Sequence, residues 1–306
     1  MTLELQGRVI TSGLGFPEGP VALPDGSVLC VEIASGRLTR VLPSGEKKVV
    51  AELGGGPNGA ALGPDGHCYV CNNGGFTWRT DDGFTRPTGA PADYRGGSIQ
   101  RVNLANGNVE TLYTHCDGNP LYGPNDIVFD ARGGFWFSDF GKKLPDRIMH
   151  GAVYYASTDG RFIRRAAFPA LTPNGVGLSP DGSTLYVAES DTCRLWSYPI
   201  RAPGELELQP FPSPNGGRLV HGSPGYQRFD SLAVEECGNI CVATLVHGGI
   251  SVFSPGGELL EFHEAPEGYC TNICFGGADR RTAYITLSGY GQLFEARWPR
   301  PGLQLA

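Results

Sequence analysis

One phrase recurs six times along the chain, and it constrains the fold more than any other feature. Each copy consists of a polar residue with a side-chain oxygen, a short apolar run, a tight turn and a second strand-like run. Successive copies are separated by 40, 67, 49, 56 and 42 residues. The polar residues are Glu18, Asn58, Asn125, Asn174, Asp230 and Asn272. Because each copy is long enough for one four-stranded sheet, the repeat predicts an all-β fold, a six-bladed β-propeller.

Tight-turn pairs follow the polar residue in each copy and join its two runs. They include Asp25-Gly26, Asp65-Gly66 and Asp181-Gly182, and such pairs supply the positive backbone angles that β-hairpins require. The 306 residues also include 46 Gly and 24 Pro, which is typical of many short strands joined by turns. We therefore expect residues 1–306 to form a single propeller domain, with a loop insertion at about residues 74–98.

Charge, hydropathy and cysteine usage exclude several classes of protein. The net charge of -7 argues against nucleic-acid binding, and no run approaches the roughly 20 apolar residues of a membrane helix. The first residues lack the basic and apolar pattern of a signal peptide. Nine Cys is an odd number, and several lie in strand-like runs, which favours reduced thiols in a cytoplasmic protein over disulfides. We expect a monomer or a small homo-oligomer.

The six polar residues indicate a cation site, because equivalent positions of successive blades converge on the axis of a propeller. All six carry a side-chain oxygen, and none is Lys, Arg, His or Cys. Ca²⁺ suits such mixed carboxylate and amide ligands best, whereas Mg²⁺ usually keeps more waters and Zn²⁺ prefers His or Cys. The alternative is that Asn and Asp stabilise the turn into the inner strand. Glu18 is a poor turn residue and favours the cation site.

Four longer motifs carry a resemblance to a known family. They are "FPEGP", "PNDIVFDARGGFWFSDF", "TPNGVGLSPDGSTLYVAES" and "FDSLAVEECGNICVATL", in this order. Together they resemble the senescence marker protein/gluconolactonase/luciferin-regenerating enzyme family of six-bladed propellers. The resemblance extends from about Gly15 to Trp298, and the stretch "GGFWFSDF" is closest to the drug-responsive lactonase branch.

The resemblance implies one catalytic divalent cation, most commonly Ca²⁺, with Zn²⁺, Mn²⁺ or Mg²⁺ as alternatives. Matched motif by motif, its ligands are Glu18, Asn125, Asn174 and Asp230, with Ser231 as an additional candidate. A cation with open positions would polarise a lactone carbonyl and stabilise the oxyanion that forms on attack. Asp230, kept ionised beside the cation, would act either as a general base toward water or as a nucleophile, and the sequence leaves both roles open.

Candidate substrate-binding residues surround these motifs. Asn58 shares the register of the ring, and we expect it to orient the substrate. Trp78 lies in the 74–98 insertion, which we interpret as a partial lid or a substrate wall because long loops in compact domains are usually functional or disordered. Tyr122 and His247 lie near the third and fifth copies of the phrase.

One position departs from the family pattern. Sugar lactonases of this family tend to carry an Arg two residues before the Asn of the third motif, and this chain has Gly123 there. Arg79 or Arg95 of the insertion could replace it. Since a site without donors cannot offset the desolvation of a polyol, we expect lactones with apolar or extended substituents to be preferred over free aldonolactones.

The sequence thus predicts a cation-dependent hydrolase that opens a small-molecule lactone. Two alternatives remain open, an organophosphate-type hydrolase on the same site and a non-catalytic, calcium-binding regulatory propeller. Asp139, at the end of the third motif, is a candidate for a supporting role in the site, for a ligand of a second ion or for a turn residue.

Overall fold

Residues 1–305 are described by the computed structural model of the protein. Within that range every regular element is a β-strand, and six blade sheets are arranged around a central channel. The predicted fold class, an all-β six-bladed propeller, is confirmed. Neighbouring strands within a blade are antiparallel and follow one another along the chain, so each recurring phrase supplies the two innermost strands of one blade.

The four strands of each blade are given from the channel outward. They are Pro17–Ala22, Val28–Glu32, Arg37–Val41 and Lys47–Glu52 in blade 1; Pro57–Leu62, Cys68–Asn72, Ser98–Val102 and Val109–Tyr113 in blade 2; Pro124–Phe129, Gly134–Asp139, Gly151–Ser157 and Ile163–Ala170 in blade 3; Pro173–Leu178, Thr184–Glu189, Arg194–Ala202 and Arg218–Gly222 in blade 4; Arg228–Val234, Ile240–Leu245, Gly249–Phe253 and Leu259–Glu264 in blade 5; and Cys270–Gly276, Thr282–Leu287, Gln292–Arg297 and Gly7–Thr11 in blade 6.

Short strands lie outside this pattern. Thr2–Glu4 adds a parallel fifth strand to blade 5, and Glu205–Leu206 pairs with the end of the third strand of blade 4. Three small hairpins project from the blades, formed by Thr77–Asp81 with Phe84–Gly89, His115–Cys116 with Asn119–Pro120, and Lys142–Lys143 with Ile148–Met149.

The ring of blades is closed by the start of the chain. Gly7–Thr11 forms the outermost strand of blade 6, whose three inner strands come from the far end of the sequence. The segment that precedes blade 1 in the chain is therefore held in blade 6 by backbone hydrogen bonds, which ties the first and last blades together.

Apolar side chains fill the spaces between neighbouring blades. Tyr69 of blade 2 packs against Phe129 and Phe135 of blade 3, with ring centroids 5.0 and 5.6 Å apart. The second strand is buried along its whole length in blades 1–3 and at all but one terminal residue in blades 4–6, because it is covered on both faces by adjacent blades. These interfaces hold the innermost strands in place around the channel.

The nine cysteines are all free thiols within the described residues, and only Cys237 is exposed. The prediction of reduced cysteines is therefore confirmed for this range. No helix long and apolar enough to cross a membrane occurs in residues 1–305.

Candidate functional site

Every innermost strand has a break in its pairing close to its first residues. In blade 3, for example, Pro124 pairs with Asp139 and the next paired residue is Ile127, so that Asn125 and Asp126 form a bulge. The same irregularity occurs in the other five blades. Because a bulge re-aims side chains, it directs the first bulge residue toward the channel at the same level in successive blades.

Four of these bulges are preceded by a proline that lies opposite a polar residue at the end of the second strand. The pairs are Pro17 with Glu32, Pro57 with Asn72, Pro124 with Asp139, and Pro173 with Glu189. Each polar side chain accepts a hydrogen bond from a backbone N–H of the loop that enters the innermost strand; their donors are Gly15, Gly56, Gly123 and Leu171. These hydrogen bonds fix the path of the backbone that leads into each ring residue.

Asp139 belongs to this set of acceptors. Its carboxylate accepts hydrogen bonds from the backbone N–H groups of Tyr122, Gly123 and Gly141 at 2.7, 2.7 and 2.8 Å. Both oxygens are thereby occupied by the protein, so the structure favours the turn role for Asp139. The other three acceptors were missed from the sequence, although each second strand in blades 1–4 visibly ends in an acid or an amide.

The predicted ring residues of blades 1–5 lie around one cavity of about 110 Å³ at one end of the channel; they are Glu18, Asn58, Asn125, Asn174 and Asp230. Glu18 and the three asparagines are buried, and Asp230 is half-buried. Residues separated by more than 200 positions in the sequence are thus brought to one site, as the repeat predicts.

Hydrogen bonds fix the orientation of several ring side chains. Asn174 Nδ2 donates to Ser190 Oγ at 3.1 Å, which leaves Asn174 Oδ1 to face Ser231 Oγ at 3.4 Å. Glu18 Oε2 accepts from the backbone N–H of Gly19 and from Asn272 Nδ2, both at 2.7 Å. The surrounding protein therefore fixes these side chains, and Glu18 Oε2 and Asn174 Oδ1 both accept hydrogen bonds from neighbouring residues.

In the sixth blade the register differs from the sequence prediction, which placed Asn272 in the ring. The pairing of Cys270 with Leu287 and of Ile273 with Ile285 makes Thr271 the equivalent of Asn125. Thr271 lines the same cavity as the ring residues, and Asn272 lies one level deeper. The prediction was wrong by one residue because Thr271 and Asn272 both carry a side-chain oxygen and no proline precedes them, as one does in blades 1–4.

The level below the ring is made of the second bulge residues. It contains glycine in blades 1, 2 and 4, and a Cβ on Gly59 would lie 2.3 Å from the backbone oxygen of Asn125, so adjacent strands are in close contact there. Asp126, Ser231 and Asn272 take this position in blades 3, 5 and 6. Asp126 is buried and was missed from the sequence, although the Asn-Asp pair of the third motif was visible.

Three carboxyl groups therefore lie close to the top of the channel. Burial raises the pKa of Glu18 to about 7. Burial and the nearby Glu18 raise the pKa of Asp126 to about 8 and the pKa of Asp230 well above its usual value. Buried carboxylates without a compensating cation are costly, so this arrangement favours either protonation or the binding of a positive ion.

One buried side-chain oxygen of this site is suitable as a cation ligand. Asn125 Oδ1 is buried and has no hydrogen-bond partner among the described residues. Together with the carboxylates of Glu18 and Asp230 and the amide oxygen of Asn174, it provides four oxygens on four blades around one cavity. This donor set fits a hard, oxygen-preferring cation. Within residues 1–305 no group of three or more His, Cys, Asp or Glu is arranged to hold a metal, so amide oxygens would have to complete the set.

A collar of side chains lies above the ring, two residues before each ring residue. Backbone pairing shows that the collar positions are equivalent in the six blades. In each blade the backbone of the collar residue pairs with the last residue of the second strand or with the residue that follows it. Its members are Phe16, Gly56, Gly123, Thr172, Arg228 and Tyr269. The cavity wall is formed by Phe16, Arg228 and Tyr269 of this collar together with Ile33, Phe140 and Leu245 opposite them.

The predicted insertion forms a hairpin across this collar. Its strands Thr77–Asp81 and Phe84–Gly89 leave blade 2 and reach blade 6, where the N–H of Thr85 donates to the backbone oxygen of Gly289 at 2.8 Å. Phe84 packs between Tyr269 and Tyr290, with ring centroids 5.1 Å from each. The hairpin therefore covers part of the cavity mouth, and its Phe76 and Pro87 line the cavity.

Of the four predicted substrate-binding residues, one lines the cavity and three do not. Asn58 lines the cavity, and Trp78 stacks on Phe16 at 5.0 Å from behind. Tyr122 is half-buried and is not among the residues that line the cavity; its backbone oxygen accepts a hydrogen bond from Tyr94. His247 lies on an exposed turn of blade 5 and stacks on Phe262 at 4.5 Å, away from the cavity wall.

The arginines of the insertion do not line the cavity. Arg79 pairs with Asp81 at 2.9 Å, and Arg95 is exposed and bonds to the backbone oxygen of Tyr94. Arg228 of blade 5 lines the cavity instead. It was missed because the family pattern places an Arg two residues before the ring residue in the third motif only. The stretch "RFD" has the same two-residue spacing in the fifth copy.

Comparisons with known proteins agree with this architecture. The profile of the SMP-30/Gluconolactonase/LRE-like region matches residues 16–289. A gluconolactonase from Zymomonas mobilis is 26% identical over 308 residues, with 92% of this chain and 78% of that protein covered. Lactonase drp35 from Staphylococcus aureus is 26% identical over 236 residues, which cover 76% of this chain and 64% of that protein. The structure of regucalcin from Agrobacterium tumefaciens, a calcium-binding protein, superimposes with a TM-score of 0.74 at 20% identity and covers 100% of this chain and 99% of that one.

Proposed function

Because the chain belongs to the SMP-30/gluconolactonase/LRE-like family, we propose that it is a lactonase, a hydrolase that opens a cyclic ester in the cavity above the ring. The observation that carries the proposal is the convergence of Glu18, Asn125, Asn174 and Asp230 on one cavity, with Asn125 Oδ1 unpaired. Relatives named gluconolactonase and lactonase support the reaction class. The substrate is a small-molecule lactone.

We propose that Glu18, Asn125, Asn174 and Asp230 hold one divalent cation. Ca²⁺ suits their chemistry best, since all four offer oxygen to a loosely shaped site. Such a cation would polarise the lactone carbonyl and stabilise negative charge as it develops on the carbonyl oxygen. Ser231 supports the set through its contact with the amide oxygen of Asn174.

Asp230 is the residue we assign to the attack on the carbonyl carbon. It lines the cavity and is half-buried, and the charge of Arg228 lies close enough to oppose the effect of burial on its pKa. As a general base it would take a proton from water while the water oxygen bonds to the carbonyl carbon; the ring C–O bond then breaks and the alkoxide is protonated. As a nucleophile it would form an anhydride that water hydrolyses. If water attacks the anhydride at the Asp230 carbonyl carbon, a single turnover in oxygen-18 water labels Asp230, whereas the general-base route labels the carboxylate of the product.

The remaining side chains shape the cavity. Asn58 faces the cavity from blade 2 and can donate its amide N–H to an oxygen of the substrate. The hairpin and the apolar wall exclude water from one side of the bound ring, which strengthens electrostatic interactions inside the site. Free thiols throughout the described residues support a cytoplasmic location.

Acid release measured by pH-stat on a panel of lactones and phosphoesters, with and without EDTA, tests the proposal. Release from lactones that EDTA abolishes and Ca²⁺ restores is expected. Release from phosphoesters alone would replace the lactonase by an organophosphate-type hydrolase. Calcium binding by calorimetry without turnover of any compound would make the protein a calcium-binding propeller and refute the enzyme.

A further inference from the structure

Arg228 occupies the same collar position in blade 5 that Gly123 occupies in blade 3. Arg228 pairs with Leu245, and the next residue, Phe229, pairs with Thr244. In blade 3 the backbone oxygen of Gly123 accepts from the N–H of Phe140, and Pro124 pairs with Asp139. Each residue lies two positions before its ring residue, so the two blades present equivalent sites to the same cavity.

A side chain cannot be accommodated at position 123. A Cβ built on Gly123 would lie 2.4 Å from the backbone oxygen of Gly141, well inside van der Waals contact. The loop that follows Asp139 therefore closes this position, and a guanidinium can enter the cavity only from another blade. Arg228 is the only Lys, Arg or His among the described residues that line the cavity.

Arg228 shares the carboxylate of Asp191 with Lys143, and its charge also acts on the carboxyl group of Asp230. Asp191 is shared by Lys143 at 2.5 Å and by Arg228 at 3.0 Å, so one carboxylate faces two cations. The side chains of Arg228 and Asp191 are 31% and 34% exposed, and ion pairs with this exposure contribute little to stability. Arg228 can therefore turn part of its donor edge toward a ligand at small cost.

The rest of the cavity wall restricts what that ligand can be. Phe16, Ile33, Phe140, Leu245 and Tyr269 form an apolar part of the cavity wall at and beside the collar, whereas the polar side chains of the cavity are, apart from Ser190 and Arg228, those of the ring. A polyol would leave several hydroxyl groups without partners there, which costs about 1–3 kcal/mol for each buried group. A single carboxylate matches the planar, two-pronged donor edge of one guanidinium.

We propose that Arg228 determines substrate specificity by binding a carboxylate group of the substrate, and that the preferred substrate is a lactone with an otherwise apolar ring that carries one carboxylate. This inference rests on the proposed lactonase function for the identity of the ring, and on the structure alone for the anion site. Arg228 is a recognition residue, so its loss acts on binding of one substituent and leaves the attack on the carbonyl in place.

The experiment compares a γ-butyrolactone bearing a ring carboxylate with the matching carboxamide, which has the same shape without the charge. Arg228→Met is expected to lower kcat/KM for the carboxylate about 10- to 100-fold, mainly through KM, as for the loss of a charge-assisted hydrogen bond. The carboxamide should change by less than about threefold. Arg228→Lys should be intermediate, and Lys143→Met, which removes the other cation on Asp191, should leave both substrates within about threefold.

A readout without turnover separates this proposal from the lactonase assignment. Calorimetry measures binding of α-hydroxyglutarate, the ring-opened form of the charged lactone, against γ-hydroxybutyrate. Arg228→Met should weaken only the first, even if no lactone is hydrolysed. Equal losses for both lactones and unchanged α-hydroxyglutarate binding would overturn the role of Arg228. A wild-type preference for glucono-δ-lactone over the charged lactone by more than about tenfold would overturn the substrate class.

Discussion

Asp230→Asn is expected to remove turnover while part of the cation binding remains. The substitution keeps the size of the side chain and one carbonyl-type oxygen, but it removes the negative charge and the basic atom. A positioned base contributes about 10²- to 10⁴-fold to rate, which is roughly 3–5 kcal/mol of activation free energy. Glu18, Asn125 and Asn174 retain their oxygens around the cavity, so calcium affinity should fall without being lost.

The structure also predicts a second consequence of the same substitution. Burial raises the pKa of Glu18, Asp126 and Asp230; the charge of Glu18 raises the pKa of Asp126 and Asp230 further, and Asp126 also acts on Asp230. Removing one of them relieves repulsion in the cation-free protein, so its melting temperature in EDTA should rise or stay unchanged. The stabilisation gained on adding Ca²⁺ should become smaller, because cation affinity is reduced.

The assay combines kcat on the best lactone of the panel, calcium titration by calorimetry and melting temperatures with EDTA and with Ca²⁺. Asp146→Asn is a matched control, since Asp146 is exposed and pairs only with the exposed Arg147. It should leave all three measurements unchanged. Activity of Asp230→Asn within about tenfold of the wild type would refute the assignment of Asp230 as base or nucleophile.

The cation ligands, the hairpin and the buried carboxyls each give one further prediction. Glu18→Gln should weaken calcium affinity more than Asn174→Ala, because the loss of a formal charge matters more to a hard cation than the loss of one amide; calorimetry giving the reverse order would contradict this. Phe84→Ala should increase KM and cleavage of the hairpin by protease, because its ring packs edge-on against Tyr269 and Tyr290 and the two aromatic pairs are together worth roughly 1–3 kcal/mol, whereas Phe211→Ala, at a 95% exposed residue, should have no effect. Raised pKa values of about 7 for Glu18 and about 8 for Asp126 mean that the folded protein binds protons more tightly than the unfolded chain, so melting temperature in EDTA should fall from about pH 5 to about pH 8; a flat profile would argue against burial of these carboxyls.

The fold could be predicted because each blade contains one copy of the same sequence phrase. Six polar residues, each followed by an apolar run and a turn, fix both the number of blades and the position of the innermost strand in blades 1–5. Blade 6 failed by one residue, since Thr271 and Asn272 both carry a side-chain oxygen and no proline precedes them. Pairing with Leu287 and Ile285 decides the register, and pairing depends on contacts that a single repeat does not contain.

The oxygen-bearing residues around the cavity were predicted from the sequence. The side chains that hold the adjacent loops in place were not. Glu32, Asn72 and Glu189 act on backbone groups of loops, so no spacing rule connects them to the ring. Asp126 was missed because nothing in the repeat marks the position after a ring residue as one that faces the channel. The path of the 74–98 insertion depends on where Phe84 packs in blade 6, and local sequence gives no information on such a distant contact.

The pseudo-symmetry of the propeller explains why a recognition residue is not tied to one motif. Six equivalent collar positions encircle the channel above the ring, three of them line the cavity, and a side chain moved from one blade to another approaches from a different direction. Position 123 lies two residues before Asn125, whereas Arg228 lies two residues before Asp230, the residue assigned to the attack, on the same strand. A substituent bound by Arg228 is therefore held on the side of the cavity from which the carbonyl is attacked. Substrates should then carry their carboxylate close to the reacting ester, and a lactone whose carboxylate is separated from the ring by a long chain should gain little from Arg228.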